Sequence, residues 1–565
     1  MRKFFIFLFF LSLSIINYQL SISSAYAAEE FLTRFTSTYD ISAEGVARVT
    51  HYVELTNRLS EVSASEYALT IGSTRIKDVT AHSPAGVQTS ITTGENSTII
   101  NLKFDTPIVG KNQTHRFEIS YTNLDIATKS GRVLEVNIPK MGNSNEIEDY
   151  AVVVKVPASF DAPSLMAPVT KSITQSSGQQ ILRYGKNQLS GKGISILFGD
   201  HQVYDFTLRY TLENPSLSQV TTTIAIPPDT SYQKMYYHSL EPQPTNVVVD
   251  EDGNWLAKYS LAPKQTQEVR ATGLAVLYLK STLPLDVGDT TKYLQSATYW
   301  PTTDAQIREL AMQLKTPENI YNYVASNLSY NYQRIDAAAT RLGAKAALEN
   351  PQNAICTEFT DLFVALSRAA GIPARSQDGF AFTQNSKLRP LSLKLDILHA
   401  WPEYFDQRRN RWVPVDPTWG NTTGGIDYFS RWDLNHFTFT IHGSDSVKPF
   451  PAGAYKIKAE SGKDVNVAFS NQEPTPIDDL DIQPTSSTVV ITNRGNQAAY
   501  QVPVSYNDQV VYTIPVLPPF ATYTYETPAA IRSSIISVSL AVGVVAGAAS
   551  GFAYLARRIH LRRTR

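Results

Sequence analysis

The chain has 565 residues, 42% hydrophobic and 18% charged, with 50 Lys and Arg against 51 Asp and Glu. That is enough apolar material for several packed domains, and a charge balance this close to neutral excludes the basic footprint of a nucleic-acid-binding protein. A single cysteine, Cys356, excludes an internal disulfide.

Met1-Arg2-Lys3 leads into an apolar block from Phe4 to Ile16 and on to Ala25-Tyr26-Ala27. Basic, then apolar, then small residues is the layout of a cleavable signal peptide, assigned to 1–27. From 28 to 204, runs such as Ala47-Arg-Val-Thr-His-Tyr-Val-Glu-Leu and His115-Arg-Phe-Glu-Ile-Ser-Tyr alternate with period two between turn residues, which predicts a β-sandwich. Residues 205–283 read as a second sandwich, with Phe206-Thr-Leu-Arg-Tyr-Thr-Leu and Val220-Thr-Thr-Thr-Ile-Ala-Ile among its strands.

The pattern changes at 284–445. Thr302 to Leu314 and Pro317 to Ala325 have helical period, and strands follow them, so an α+β domain is expected here. A smaller β-rich block covers 446–528. Residues 533–556 then carry no charge and are followed by Arg557, Arg558, Arg562, Arg563 and Arg565. About 20 apolar residues suffice to span a bilayer as a helix, and flanking arginines stay on the cytoplasmic side. The expectation is one transmembrane helix at 533–556, a cytoplasmic tail at 557–565, and a single-pass protein of the cell membrane with its bulk outside. Gly543, Gly547 and Gly551 would form a stripe through which two such helices could dimerise. The fold class expected overall is multidomain α+β, with β-sandwich domains flanking the α+β unit.

Cys356 opens an amphipathic segment in which Phe359, Leu362, Phe363, Leu366 and Ala370 share a stripe, closed by Gly371-Ile372-Pro373. A helix N-terminus stabilises thiolate, so a thiol exposed there is a candidate nucleophile. Leu398 to Phe405, the polar turn 406–411 and Trp412 to Gly420 read as a hairpin. An even-length turn puts His399 and Asp416 on the same sheet face, opposite or diagonal. A carboxylate beside an imidazole fixes its tautomer and stabilises its charged form. Cys356, His399 and Asp416 are therefore candidates for nucleophile, base and orienter. No Cys/His cluster or EF-hand spacing suggests a metal, and no cofactor is implied.

Four segments carry a resemblance to the transglutaminase-like superfamily, in its bacterial-type branch. They are Ile320-Tyr-Asn-Tyr-Val with Leu328-Ser-Tyr-Asn-Tyr, the run from Cys356 to Arg375, His399-Ala-Trp-Pro-Glu, and Trp412-Val-Pro-Val-Asp-Pro-Thr-Trp419. The resemblance implies a papain-like core with Cys356 as nucleophile, His399 as base and Asp416 as orienter. It implies acyl transfer from amides of protein or peptide substrates, as a transglutaminase, peptidase or amidase. The Cys356 backbone N–H would be one oxyanion donor, with Tyr330 or Tyr332 as candidates for a second. Ala354 stands where the family usually has glycine, Pro402 where it usually has a β-branched residue, which suits an edge strand, and Arg375 reads as structural. The competing expectation is a surface binding or adhesion protein that keeps the fold without activity.

Overall fold

The computed structural model describes residues 30–526, 536–542 and 555–559, apart from 96, 143–146, 190, 283–287, 336–338, 384–397, 456–462, 485–486 and 507–508. The expected signal peptide lies outside the described residues.

The N-terminal block builds a seven-stranded sheet with, in order, Ser172–Ser176, Gln179–Gly185, Asp149–Pro157, Phe31–Ile41, Ala47–Asn57, Thr114–Asn123 and Ile76–His82. Smaller sheets centred on Thr98–Phe104 and on Val133–Ile138 pack with it around one core that includes Phe35, Val49, Ile100, Phe117, Val136 and Tyr184. Period-two alternation forms this layer: in Ala47–Asn57 every second side chain, from Ala47 to Asn57, is buried.

The next block pairs Gln233–Glu241, Thr266–Tyr278 and His201–Glu213 in one sheet, facing Val220–Ile226, Trp255–Leu261 and Asn246–Val249. The fourth strand of the first sheet is Val465–Ser470, which comes from beyond the α+β region and pairs with His201–Glu213. The chain thus leaves this sandwich, folds the α+β unit, and returns to the same sheet.

In the α+β unit, α1 (Ala305–Leu314), α2 (Pro317–Asn327) and α3 (Gly343–Glu349) surround α4 (Cys356–Ala369). Asp304 caps α1, and Thr316 caps α2 with Pro317 as its first residue. On the long buried face of α4, Phe359, Leu362, Phe363 and Leu366 join Ile307, Ile320, Val324 and Trp419 in the core. The helix ends at Ala369, two residues before Gly371 at φ +79°.

An antiparallel sheet packs against α4. Its order is β3 (Arg411–Pro414), β2 (His399–Asp406), β1 (Ala374–Ala381) and β4 (His436–His442). The expected hairpin is β2–β3, with Asp406 paired to Arg411 across the turn and Glu403 to Pro414 at its open end. Its second arm is shorter than the sequence suggests. After Pro414 the chain turns into α5 (Pro417–Thr422), because Asp416 accepts from the Trp419 N–H at 2.9 Å as N-cap and Pro417 takes the first helical position. Pro402 therefore sits on an internal strand, not an edge: it pairs with Ser376 on one side and accepts from Val415 N at 3.0 Å where β3 has just ended.

Two expectations are overturned. Taken whole, the chain is mostly β, 48% strand against 14% helix, rather than α+β. Among the described residues no helix is long and apolar enough to cross a membrane. Ile536–Val542, within the expected span, and Leu555–Ile559, which runs from its end into the expected tail, are strands that pair with each other, and the first also pairs with Ala499–Tyr506. The physical reason is visible in Ile536-Ser-Val-Ser-Leu-Ala-Val542, whose apolar residues alternate with small ones at the period of a strand. The single-pass placement, with an outer bulk and a cytoplasmic tail, rested on that helix and is withdrawn with it. Gly543, Gly547 and Gly551 lie outside the described residues.

Candidate active site

Cys356 is the first residue of α4, so its backbone N–H has no partner within the helix. The turn that delivers it is held by one buried carboxylate. Glu358 accepts from Ile355 N at 3.0 Å, from Leu342 N at 2.8 Å and from Arg334 Nη1 at 2.9 Å. One turn on, buried Asp361 pairs with Arg341 and accepts from Trp300 Nε1 at 2.7 Å. Ala354, at φ −95°, adopts extended backbone open to any L-residue, so the usual glycine is not needed. The thiol is only 9% exposed, not at the open start that the sequence suggests.

His399, at the start of β2, stands between the thiol and a carboxylate. Its Nε2 lies 2.8 Å from Asp416 Oδ2, and Cys356 is near enough to act on its charge. With Nε2 engaged by Asp416, Nδ1 is the nitrogen left for the thiol. The ring is stacked between Trp401 and Trp419, with centroids 5.9 and 5.5 Å away and interplanar angles of 26° and 25°. Burial alone would push the imidazolium down, but Asp416 and Cys356 outweigh it and lift His399 to about 9.

Asp416 is fully buried. Its Oδ1 accepts from Trp419 N, while Oδ2 is shared by His399 and by a second histidine, His436 Nε2, at 3.1 Å. Burial opposes its charge, yet His399 and His436 hold it well below the usual carboxylate range. The hairpin register explains how it meets His399: with Glu403 opposite Pro414, the continuation puts Asp416 diagonal to His399 on one face.

Tyr330 forms a short parallel bridge with Ala354, two residues ahead of Cys356. Burial pushes its hydroxyl well up, so it remains a donor. Tyr332 is 39% exposed and leans on the Tyr330 ring at 5.0 Å. Arg375 pairs with buried Glu403 and lies over Trp412 at 4.1 Å.

The sequence reading did not select His436 or its partner Asp433, whose Oδ1 is 2.7 Å from His436 Nδ1. The available signal was Asp433-Leu-Asn-His436 at the head of a strand, but His436, Thr438, Thr440 and His442 alternate with Phe437, Phe439 and Ile441, a pattern that normally sends the polar set to solvent. All seven residues are buried. Among the described residues, His399, Asp416 and His436 are also a set able to offer a cation three ligand atoms, all within 4.8 Å of one another. Here the carboxylate oxygen sits between the two Nε2 atoms as acceptor, at hydrogen-bond separations that require both nitrogens to carry hydrogen.

Residues 301–417 match the model of the Transglutaminase-like superfamily. No curated protein matches the chain. A candidate cysteine protease from Cytophaga hutchinsonii is 17% identical, with 48% of this chain and 99% of that chain covered and a TM-score of 0.29. The periplasmic domain of TgpA from Pseudomonas aeruginosa, bound to ethylmercury, is 15% identical over 39% of this chain and 91% of that one, at a TM-score of 0.22. An M1 zinc metallopeptidase from Deinococcus radiodurans is 12% identical over 34% and 45%, at 0.20. The match over 301–417 begins ahead of α1 and ends at the first residue of α5, and so takes in Cys356, His399 and Asp416: the chain carries a transglutaminase-like core domain.

Proposed function

We propose that the chain is a thiol enzyme acting by acyl transfer on amide carbonyls of protein or peptide substrates. The observation that carries this reading is one imidazole bonded to buried Asp416 at 2.8 Å and lifted by both Asp416 and the neighbouring Cys356. His399 takes the thiol proton and the sulfur attacks the carbonyl carbon, while the π pair moves to oxygen. The Cys356 N–H and the Tyr330 hydroxyl stabilise that oxyanion. As the carbonyl reforms, the C–N bond breaks and the amine leaves with the proton from His399. The thioester is then attacked by an amine, giving a new amide, or by water, giving an acid; His399 accepts the incoming proton, and the C–S bond breaks to return Cys356 as the thiolate beside the charged His399. Asp416 orients His399 throughout and stabilises its charged form.

Because the chain has one cysteine, alkylation by iodoacetamide reports on this thiol alone. Near pH 6, labelling of the wild type is expected to exceed that of a free thiol about 100-fold or more, and His399→Ala is expected to remove the difference. Wild-type labelling at the free-thiol rate would overturn the reading.

A further inference from the structure

His436 enters the site from β4, the strand furthest from the hairpin, and both of its ring nitrogens end on carboxylates. Nε2 is 3.1 Å from Asp416 Oδ2 and Nδ1 is 2.7 Å from Asp433 Oδ1. Ionised carboxylates only accept, so both contacts are hydrogen bonds only if both nitrogens carry hydrogen, which makes the ring an imidazolium. Three indoles enclose it, with Trp419, Trp432 and Trp401 centroids 4.3, 4.4 and 4.9 Å away, a surrounding that favours a cation over a neutral ring. Its side chain is fully buried, so water does not compete for either bond.

The charged and titratable groups around the ring are Asp416 and His399 from the hairpin side and Asp433 from the loop leading into β4. Beyond them Arg431 is paired with Glu135 at 2.7 Å and lies over Tyr428. Of these, only the two aspartates touch the ring nitrogens.

We propose that His436 is a positioning residue for Cys356, His399 and Asp416: a buried cation, fixed by Asp433, that locks the Asp416 rotamer and keeps that carboxylate ionised in acid. The proposal rests on the reading of Cys356 and His399 as the reacting pair. The electrostatics of the two groups agree with it. His436 is lifted to about 9, because its two carboxylates outweigh burial, and Asp416 is held low despite having no contact with solvent. Asp416 has three donors for its two oxygens: the neutral Trp419 N–H, His399, which gives and takes the reacting proton, and His436, the cationic donor that takes no part in the transfer.

The test is the pH profile of Cys356 alkylation by iodoacetamide in the full chain. His436→Gln can keep one donor toward Asp416 and loses the charge. The expected result is an acid limb displaced toward neutral pH by about one unit, with labelling at pH 5 slowed about tenfold and labelling at pH 8 much less affected. A merely structural role would lower the rate at every pH and leave the limb in place, and that result, like an unchanged profile, overturns the proposal. Should His436→Gln not fold, Asp433→Asn decides in the same way, since it keeps the ring and its indole packing and removes the carboxylate that fixes the charge. Slow labelling of the wild type would sink the reacting pair itself. Fast wild-type labelling that His399→Ala abolishes, with an unmoved limb in the variants, would remove only the role given to His436.

Discussion

Asp416 shows what a single buried group must balance. It spends one oxygen capping α5 and the other between two imidazoles, so its charge, its rotamer and a helix start depend on one another. Asp416→Asn keeps the cap and turns an amide NH2 toward both imidazoles, reversing two donor–acceptor matches, and labelling of Cys356 at pH 7 is expected to fall about 1,000-fold while the fold persists. Tyr330 separates binding of the oxyanion from activation of the thiol. Tyr330→Phe is expected to slow hydrolysis of an activated ester such as p-nitrophenyl acetate about 100-fold and to leave iodoacetamide labelling unchanged, because alkylation develops no oxyanion. The same cluster makes stability depend on pH. His399 and His436 bind protons more tightly in the folded chain, near 9, than unfolded histidine does at about 6.5. Their stabilisation is whole below about pH 6.5 and fades as pH rises through 9, whereas that of Asp416 is present above about pH 4 and is lost in stronger acid. Unfolding monitored by urea should show a loss of about 3 kcal/mol for each imidazole between pH 6 and 9, reduced in Asp416→Asn, where His436 alone keeps a carboxylate partner in Asp433. Cys356, His399 and Asp416 were legible because each sits in a distinctive local run and pairing parity alone places two of them on one face. His436 was not, because a strand with alternating polarity reads as half-exposed until a second domain covers it.

That cover is seen at the scale of elements. β4 is the edge of the four-stranded sheet, and two amides from the second sandwich take the place of a neighbouring strand. Asn254 donates to Ile441 O at 2.8 Å and accepts from Ile441 N at 2.7 Å, and Gln233 does the same to Thr438 at 3.0 and 2.9 Å. Both amides are buried, at 0% and 1% exposure, so the edge is sealed and the strand carrying His436 is fixed in height and twist. Asn254→Ala leaves a buried N–H and a buried C=O without partners. It is expected to destabilise the chain by roughly 3 kcal/mol, read as a lowered thermal midpoint, where Asn254→Gln, longer by one methylene, recovers only part. Nothing in a single sequence marks an asparagine in a turn as the partner of a strand nearly two hundred residues away. Local signals did better where the element is self-determined: the α4 stripe, the helical period of α1 and α2 and the hairpin turn are all local chemistry. They failed at Asp416, where a cap overrode an extended run, and at Ile536–Val542, where alternation overrode mean apolarity.

At the scale of the whole molecule, the N-terminal sandwich reaches the site through one carboxylate. Glu135, on the strand Val133–Ile138, pairs with fully buried Arg431 at 2.7 Å and accepts from Asn435 Nδ2 at 2.9 Å, gripping the segment on both sides of Asp433 and just ahead of His436. The approach of Gly424 to Lys140, whose N–H donates to the Gly424 carbonyl at 3.3 Å, fastens the start of the same segment. A domain that supplies no reacting group therefore sets where the second histidine stands. Removing one member of a buried ion pair leaves the other uncompensated, so Glu135→Leu is expected to cost about 3–5 kcal/mol, whereas Glu135→Leu with Arg431→Met should recover much of that loss. The two variants separate stability from position. If the sandwich only adds stability, the double variant restores both the thermal midpoint and Cys356 labelling. If it holds Asp433 and His436 in place, the midpoint recovers and labelling at pH 5 stays below wild type, because Asn435 still lacks its acceptor and the segment is free to shift. The second outcome is the one the geometry leads us to expect.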